Sequence, residues 1–194
     1  MRIISGKFKG HSLVSFKADH IRPTTDRVKE SLFNKIRDSL EGARVLDLFC
    51  GTGNLGLEAI SRGAVHCLFV DAQAKSLSIT KENIDKLKID KKEYSIQKED
   101  VLRFLKKYEG EGFDVIFIDP PFTEKMAHEV MDAVSKSRIY LPHCLISIES
   151  QKKERIDEQY GELKRFDFKE YGDKSLSLYK MEKLEKVDTH ESYT

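Results

Sequence analysis

The sequence predicts an α/β protein with a doubly wound, mostly parallel sheet of seven strands, an antiparallel C-terminal hairpin and a small hairpin-helix appendage at the N-terminus. Two observations indicate this class. From Arg44 onward, short apolar segments alternate with longer amphipathic ones, which is the pattern of a parallel sheet covered by helices. Two later predicted strands, 163–171 and 175–181, are separated only by Gly172-Asp173-Lys174, which leaves no room for a helix and indicates a hairpin.

Seven apolar segments supply the predicted strands. Most of the first five are apolar nearly throughout, as expected for strands that are buried on both faces of a sheet. They cover residues 44–49, 66–70, 94–97, 113–118 and 144–148, and the hairpin covers 163–171 and 175–181. The amphipathic segments predict helices at 54–62, 73–88, 100–108, 124–136 and 152–159.

The appendage covers residues 1–43 and begins with a predicted hairpin at residues 2–11. A helix follows, with Thr25 as its predicted cap. A stripe at four-residue spacing is expected to face the core, and it comprises Val28, Leu32, Ile36 and Leu40. The opposite face is expected to be exposed, and it presents Arg27, Glu30 and Asn34.

Length and composition predict one globular domain. The chain has 194 residues, of which 39% are hydrophobic and 35% charged, so residues 1–181 can build one sizeable core and residues 182–194 are expected to form a disordered polar tail. The 34 basic and 33 acidic residues nearly cancel, so net charge does not indicate an anionic partner. The first 18 residues nevertheless carry four basic residues and no acidic one. They predict either a positive patch or an ordinary solvated surface.

Targeting signals and metal motifs are not found in the sequence. No segment approaches the ~20 apolar residues of a membrane span, and the N-terminus lacks the apolar core of a signal peptide, so we expect a soluble, cytoplasmic protein. Cys50, Cys67 and Cys144 lie in or beside apolar segments without metal-ligand spacing. They are predicted to be buried reduced thiols, and no metal site is expected.

The most specific local motif is the glycine-rich turn that follows the first strand. Gly51-x-Gly53-x-x-Gly56 satisfies the dinucleotide fingerprint, and Asp71 lies twenty residues after Gly51, where it could bind a ribose. A nicotinamide or flavin enzyme would use these glycines to bind a pyrophosphate. Asp47, however, places a carboxylate near the ligand, which would repel a pyrophosphate and attract the cationic α-amino group and sulfonium of S-adenosylmethionine. The motif therefore favours S-adenosylmethionine.

Further residues complete the predicted cofactor site. Asp100 and Val101 follow the third strand and suit the adenine amino group and ring. A purely structural role remains the alternative for two of the carboxylates, namely a capping or turn residue for Asp47 and a helix N-cap for Asp100. The predicted cofactor-binding set comprises Asp47, Phe49, Gly51, Gly53, Asn54, Asp71, Ala72, Asp100, Val101 and Asp119.

The motif Asp119-Pro120-Pro121-Phe122 directly follows the fourth strand and predicts the reaction. Two prolines fix the backbone and remove two amide donors, so the site presents only acceptors at the end of the strand. Such acceptors can bind the N–H groups of an exocyclic base amine, whose lone pair then attacks the sulfonium methyl group. Asp119 could also take up the released proton, and Phe122 would stack on an extruded base. The structural alternative is a rigid turn with Phe122 in the core.

With these motifs in place, the chain resembles the RsmD-type family of ribosomal RNA guanine-N2 methyltransferases, which act on the 16S RNA of the small subunit. The resemblance runs from about Arg2 to Lys180. Segments 2–10 and 22–33 are its more particular marks, because glycine loops and Asp-Pro-Pro motifs like those at 47–59 and 119–122 occur across many base methyltransferases.

The resemblance implies a methyltransferase fold, in which the last strand inserts beside the fifth, and a substrate presented within the assembled small ribosomal subunit. It also implies that the hairpin and residues 22–29 border the RNA and the pocket. Their basic groups can contact phosphates, although Arg27 could equally be an ordinary helix-surface residue. The predicted RNA-binding set comprises Arg2, Lys7, Lys9, Arg22, Thr24 and Arg27. The protein is expected to act as a monomer.

Three other functions are compatible with parts of the sequence. A DNA or RNA adenine or cytosine amino-methyltransferase would use the same chemistry, although DNA enzymes usually carry a larger target-recognition segment. A nicotinamide-dependent oxidoreductase would have no evident use for residues 119–122. A catalytically silent RNA-binding module would have no need of the complete set of chemical groups.

Overall fold

The computed structural model describes residues 1–16, 23–121 and 125–182. The predicted tail lies outside these residues except for Glu182. Within them, no helix is both long enough and apolar enough to cross a membrane.

In the described part of the chain, eight strands form one mixed sheet. They are β1 (Arg44–Leu48), β2 (His66–Asp71), β3 (Tyr94–Lys98), β4 (Phe113–Ile118), β5 (Tyr140–Gln151), β6 (Gln159–Tyr160), β7 (Leu163–Tyr171) and β8 (Lys174–Met181). Their order across the sheet is β3-β2-β1-β4-β5-β8-β7-β6. The first five pair in parallel, whereas β8 runs antiparallel between β5 and β7. The expected insertion of the last strand beside the fifth is thereby confirmed.

Among the described residues, five α-helices cover the two faces of the sheet. They are α1 (Pro23–Lys35), α2 (Asn54–Ser61), α3 (Ala74–Leu87), α4 (Val101–Lys107) and α5 (Met126–Lys136). Apolar side chains of α1, α2 and α3 form one core layer, and those of α4 and α5 form the other. The central strands β1, β2 and β4 lie between these layers and are buried almost throughout, as their largely apolar segments predict.

Most predicted elements agree with the structure, and the three cysteines are buried and free, as predicted. The predicted helix at 152–159 is wrong. Residues 152–158 form turns and bends, and Gln159–Tyr160 form the short strand β6, which makes eight strands rather than seven. The reason is tertiary, because the buried Glu154 side chain turns toward α5 and its Oε1 accepts a hydrogen bond from the backbone N–H of Ala127 at 2.8 Å. It thus pairs an N–H of the first turn of α5 that has no partner within the helix.

The N-terminal segment turns back on itself but does not form a regular ladder. Its antiparallel pairing is limited to a single bridge between Arg2 and Ser12. The tip bonds to α2 instead, because the backbone N–H of Lys7 donates to the carbonyl of Ser61 at 2.7 Å and that of Phe8 donates to Ser61 Oγ at 2.9 Å. The predicted hairpin is therefore a loop that is fastened to the C-terminal end of α2.

Helix α1 begins at Pro23, two residues before the predicted Thr25 cap. Proline is favoured at the first helical position because its missing N–H would have no partner there. The predicted stripe is buried as expected, but its last two members, Ile36 and Leu40, lie beyond the end of the helix, around a short 3-10 turn at Arg37–Ser39. The predicted outer face, with Arg27, Glu30 and Asn34, is exposed.

Candidate active site

A cavity of about 820 Å³ opens at the carboxyl ends of β1 and β4. These adjacent strands flank the point at which the strand order reverses, which is where ligands bind in open α/β sheets. The walls come from α1, the β1–α2 loop, β5 and the tip of the β7–β8 hairpin. Six sequence-predicted residues line it, namely Arg27, Asp47, Phe49, Gly51, Asn54 and Asp119.

Asp47 lies in β1 and is 1% exposed. Its Oδ2 accepts a hydrogen bond from the backbone N–H of Gly56 at 2.9 Å, so it performs the predicted structural role and lines the cavity at the same time. Burial raises the pKa of Asp47 well above its usual range, and the nearby carboxylates of Asp119 and Asp71 raise it further. A cationic ligand would relieve this clustering of carboxylates, whereas a pyrophosphate would aggravate it.

The backbone of the glycine loop is strained at a residue that is not glycine. Phe49, directly after β1, has a φ of 58°, a conformation that bulky side chains rarely adopt. Such strain persists only where the surroundings impose it, and it is concentrated at ligand-binding sites. The next turn is fixed by Thr80 on α3, whose hydroxyl donates to the carbonyl of Gly51 at 3.0 Å. The loop is thus held in one shape without a ligand.

The third glycine of the motif, Gly56, allows α2 to pack closely against β2. A Cβ atom there would lie 2.4 Å from Cε1 of Phe69 and 2.6 Å from Sγ of Cys67. We therefore expect Gly56→Ala to push α2 from the sheet, to lower the free energy of unfolding by about 1–3 kcal/mol and to weaken S-adenosylhomocysteine binding by about tenfold, equivalent to about 1.4 kcal/mol. Denaturant unfolding and calorimetric titration measure these two effects.

Gly42→Ala is the matched control for this prediction. Gly42 has a φ of 73°, but a Cβ there would meet nothing within 4 Å, so the change costs about 1 kcal/mol of backbone strain alone. Wild-type cofactor affinity in both variants would contradict the packing role of Gly56.

The residues predicted to bind ribose and adenine do not line the cavity and lie at or just beyond the carboxyl ends of β2 and β3. Asp71 fastens the loop, because its Oδ2 accepts from the backbone N–H of Gly51 at 3.0 Å and its Oδ1 accepts from that of Gln73 at 2.8 Å. Ala72 is exposed beside it. Asp100 forms the N-cap of α4, which was its structural alternative, and Val101 is buried in the core at 1% exposure. Gly53 is the cap of α2.

Asp119 directly follows β4 and lines the cavity. Burial and the neighbouring Glu149 raise its pKa to about 7, against an opposing effect of Lys174. Pro120 is buried and Pro121 exposed, and the predicted stacking residue Phe122 lies outside the described residues. The site therefore holds a carboxyl group that changes charge near neutral pH.

Glu149, Tyr171 and Lys174 are among the cavity residues that were not predicted from the sequence. Glu149 of β5 and Lys174 of β8 form an ion pair, with 3.1 Å between Oε2 and Nζ. Tyr171 at the end of β7 is 9% exposed, and within the described residues its hydroxyl has no hydrogen-bond partner. No motif marks these residues, because the antiparallel insertion of β8 beside β5 brings them together from distant positions.

A buried ionic cluster at the wall of the cavity was also missed. Lys29 of α1 and Glu58 of α2 are 2% and 0% exposed and lie 2.9 Å apart between Nζ and Oε2. Lys29 also donates to Oδ1 of Asn54 at 2.8 Å, and burial lowers its pKa. Glu58 accepts from the backbone N–H groups of Ile4 and Ser5 at 2.8 and 3.0 Å. The cluster thereby joins the N-terminal segment, α1 and the glycine loop after β1.

Asn83 of α3, which was also not predicted, joins the N-terminal segment to the glycine loop after β1. Asn83 is fully buried, and its side chain pairs with both the backbone N–H and the carbonyl of Val14, at 2.7 and 3.0 Å. It also donates to the carbonyl of Thr52 in the glycine loop at 3.0 Å. In the sequence Asn83 resembles an ordinary polar helix residue, so no signal distinguished it.

The predicted RNA-binding residues are dispersed around the N-terminal segment. Arg2 is exposed and lies 3.6 Å from Asp26, Lys7 pairs with Glu93, and Lys9 is exposed. Arg27 is exposed and also lines the cavity, so it lies where a substrate would enter. Arg22 and the side chain of Thr24 lie outside the described part of the chain.

The fold and the cavity together define the class of protein. A doubly wound sheet with its last strand inserted antiparallel beside the fifth is the Rossmann-like methyltransferase fold, and a cavity lined by carboxylates at its switch point suits a cationic methyl donor.

Comparison with known proteins places the chain within this class. Residues 1–180 match the family described as "Conserved hypothetical protein 95". The chain is 37% identical over 182 residues to "Putative rRNA methyltransferase YlbH" of Bacillus subtilis, and the aligned region covers 93% of this chain and 98% of that protein. It is 34% identical over 153 residues to "Ribosomal RNA small subunit methyltransferase D" of Haemophilus influenzae, covering 78% and 79% of the two chains.

Solved structures agree with these relatives. "Putative methyltransferase yhhF" from Escherichia coli superimposes with a TM-score of 0.83 at 29% identity, over 94% of this chain and 98% of that one. The Thermus thermophilus "16S rRNA N2 G1207 methyltransferase (RsmC) in complex with AdoMet and Guanosine" shares the fold, with a TM-score of 0.67 at 18% identity over 86% of this chain and 45% of that one.

The chain belongs to the RsmD family, and the resemblance inferred from its motifs is confirmed. This homologous family uses S-adenosylmethionine, which confirms the cofactor predicted from Asp47 and the glycine loop.

Proposed function

We propose that the protein transfers the methyl group of S-adenosylmethionine to the exocyclic N2 amino group of a guanine in 16S ribosomal RNA, within the small ribosomal subunit. One observation carries the proposal. Asp119 lies in the cavity at the switch point, and the two prolines that follow it remove the backbone donors that would otherwise compete for its carboxylate.

The chemistry follows from this acceptor-only arrangement. The carboxylate of Asp119 accepts a hydrogen bond from the target amine and favours a more tetrahedral nitrogen, whose lone pair is then available. That lone pair forms the new N–C bond while the C–S bond breaks, and sulfur retains the bonding electrons as S-adenosylhomocysteine leaves. The extra proton on nitrogen passes to Asp119 or, after transfer, to water.

Relatives and neighbours support the choice of substrate. The Haemophilus influenzae relative is named for the small-subunit ribosomal RNA, and the more distant Thermus thermophilus neighbour is titled as an N2-guanine enzyme of 16S RNA in complex with guanosine. Arg27 at the cavity and the exposed Lys9 of the N-terminal segment can contact phosphates around an extruded base. Because the N-terminal appendage is small, we expect the assembled particle to supply much of the recognition. A monomeric, cytoplasmic protein stays our expectation.

Labelled S-adenosylmethionine tests the substrate directly. The protein is incubated with unmethylated small subunits, with protein-free ribosomal RNA and with double-stranded DNA, and the label on each is counted. We expect the small subunits to be labelled best. Label on DNA adenine alone would contradict the proposal.

The pH dependence of the reaction follows from Asp119. Its carboxylate form accepts the amine hydrogen bond, and its pKa is raised to about 7, so kcat/KM is expected to rise as the pH increases from 6 to 8 and to fall away below 7. Initial rates at limiting small subunits measure this profile, and Asp132→Asn, a change on the exposed surface of α5, should leave it unaltered. A flat profile between pH 6 and 8 would show that the ionisation of Asp119 does not control the rate.

A further inference from the structure

We propose that Glu149 and Lys174 determine base specificity by reading the guanine edge beside the target amine. This inference rests on the proposed function, because it takes the amine bound by Asp119 to be the N2 group. In this arrangement Glu149 accepts from N1–H, and Lys174 donates to O6.

The three groups form a row that is set by the order of the strands. Asp119 follows β4, Glu149 belongs to β5 and Lys174 begins β8, and these strands are neighbours in this order. Ile118 and Ile148 are register partners, so Asp119 and Glu149 are the next residues along adjacent parallel strands, which lie about 4.8 Å apart. The ion pair with Glu149 places the Lys174 ammonium next along the row, and all three residues line the cavity.

The order of acceptors and donors in this row matches one base. Asp119 and Glu149 are acceptors and Lys174 is a donor. Guanine presents a donor at N2, a donor at N1 and an acceptor at O6, in the same order along its Watson–Crick edge. Next to their amino groups, adenine and cytosine present an acceptor nitrogen, which the carboxylate of Glu149 would repel.

Burial makes this discrimination effective. The side chain of Glu149 is 15% exposed and that of Lys174 is 37% exposed, so a bound base would displace most of the remaining water. A wrong base would then leave the carboxylate without a donor in a dry site, which costs far more than the loss of one solvated hydrogen bond.

Tyr171 supplies an independent indication that a polar ligand belongs at this end of the cavity. It lines the cavity two residues before Asp173 at the hairpin tip, and its buried hydroxyl has no partner among the described residues. Buried hydroxyl groups are nearly always hydrogen-bonded in complete structures, so a ligand atom is the natural partner here.

The test uses small subunits in which the methylated guanine, located by mass spectrometry of ribonuclease fragments of the RNA, is replaced by 2-aminopurine. This base keeps the N2 amine, but its N1 is an acceptor and it has no O6. Wild-type protein should prefer guanine by about 100-fold in kcat/KM. In Glu149→Gln the amide can donate to N1 of 2-aminopurine, so the preference should fall at least about tenfold. In Lys174→Met the rate on guanine should fall, whereas the rate on 2-aminopurine should change little.

Glu158→Gln is the matched control, because it removes an exposed carboxylate that pairs with Arg165 outside the cavity. It should keep the wild-type preference, and titration with S-adenosylhomocysteine should give wild-type affinity in all three variants. A wild-type preference in Glu149→Gln that binds this ligand normally would overturn the inference alone. Methylation of adenine or cytosine by the wild-type protein would instead overturn the proposed function together with it.

Discussion

Replacing Asp119 with alanine is expected to lower methyl transfer to small subunits by about 1,000-fold or more while leaving the affinity for S-adenosylhomocysteine nearly intact. The carboxylate lies at the end of β4 and faces the cavity, where it would act on the base. The glycine loop keeps its own supports in this variant, because Asp47 and Asp71 still accept hydrogen bonds from Gly56 and Gly51. The loss should therefore appear in the chemical step.

Single-turnover transfer from labelled S-adenosylmethionine and calorimetric titration of S-adenosylhomocysteine measure the two quantities separately. Asp132→Asn provides the control, since Asp132 forms an exposed ion pair with Lys136 on α5, and such pairs contribute little. Loss of cofactor binding in Asp119→Ala would assign Asp119 to the cofactor site. Retention of a tenth of the wild-type rate would exclude it from the reaction.

The second large effect is expected from Glu58→Gln, which should lower the free energy of unfolding by about 3–5 kcal/mol, the range for breaking a buried ion pair. Glu58 is fully buried between Lys29 and Arg62, and its two oxygens also accept from the backbone of Ile4 and Ser5. Glutamine keeps the shape but leaves two cations without a counter-charge and only one acceptor for two backbone donors. The N-terminal segment should separate from α2 first.

Urea unfolding followed by circular dichroism measures the loss, and hydrogen exchange at Ile4 and Ser5 reports the local opening. Glu129→Gln is the matched control, because Glu129 is an exposed residue in the first turn of α5 and its replacement should change stability by no more than about 0.5 kcal/mol. Equal stability of Glu58→Gln and wild type would show that the cluster does not hold the N-terminal segment.

The elements that the sequence predicted correctly are those dominated by local pattern. Strongly apolar segments such as 113–118 fit only a buried strand here, and the glycine loop together with Asp47 located the carboxyl end of β1. The helix predicted at 152–159 does not form because the tertiary contacts of this segment outweigh the helix preference that its spacing indicates. Glu154 is buried against α5, and the hydroxyl of Tyr160 accepts from the backbone N–H of Asp157 at 2.9 Å.

The candidate site was only half predictable for the same reason. Asp119 could be found because two prolines mark it, whereas Glu149 and Lys174 are 25 residues apart and meet only through the pairing of β5 with β8. Lys29 and Glu58 likewise come from different helices, and each is of a residue type that usually lies on the protein surface. Long-range pairing of this kind leaves no local pattern to read. Asp100 shows the converse error. Its position after a strand predicted a cofactor ligand, but its side chain caps α4.

Nucleoside analysis of the methylated product tests the central claim most directly. Small subunits from a strain that lacks this protein are methylated with methyl-labelled S-adenosylmethionine, and their RNA is digested and separated by chromatography with mass detection. The site predicts that all label transferred by the protein is recovered as N2-methylguanosine from 16S RNA. Label in N6-methyladenosine or N4-methylcytidine would contradict the account.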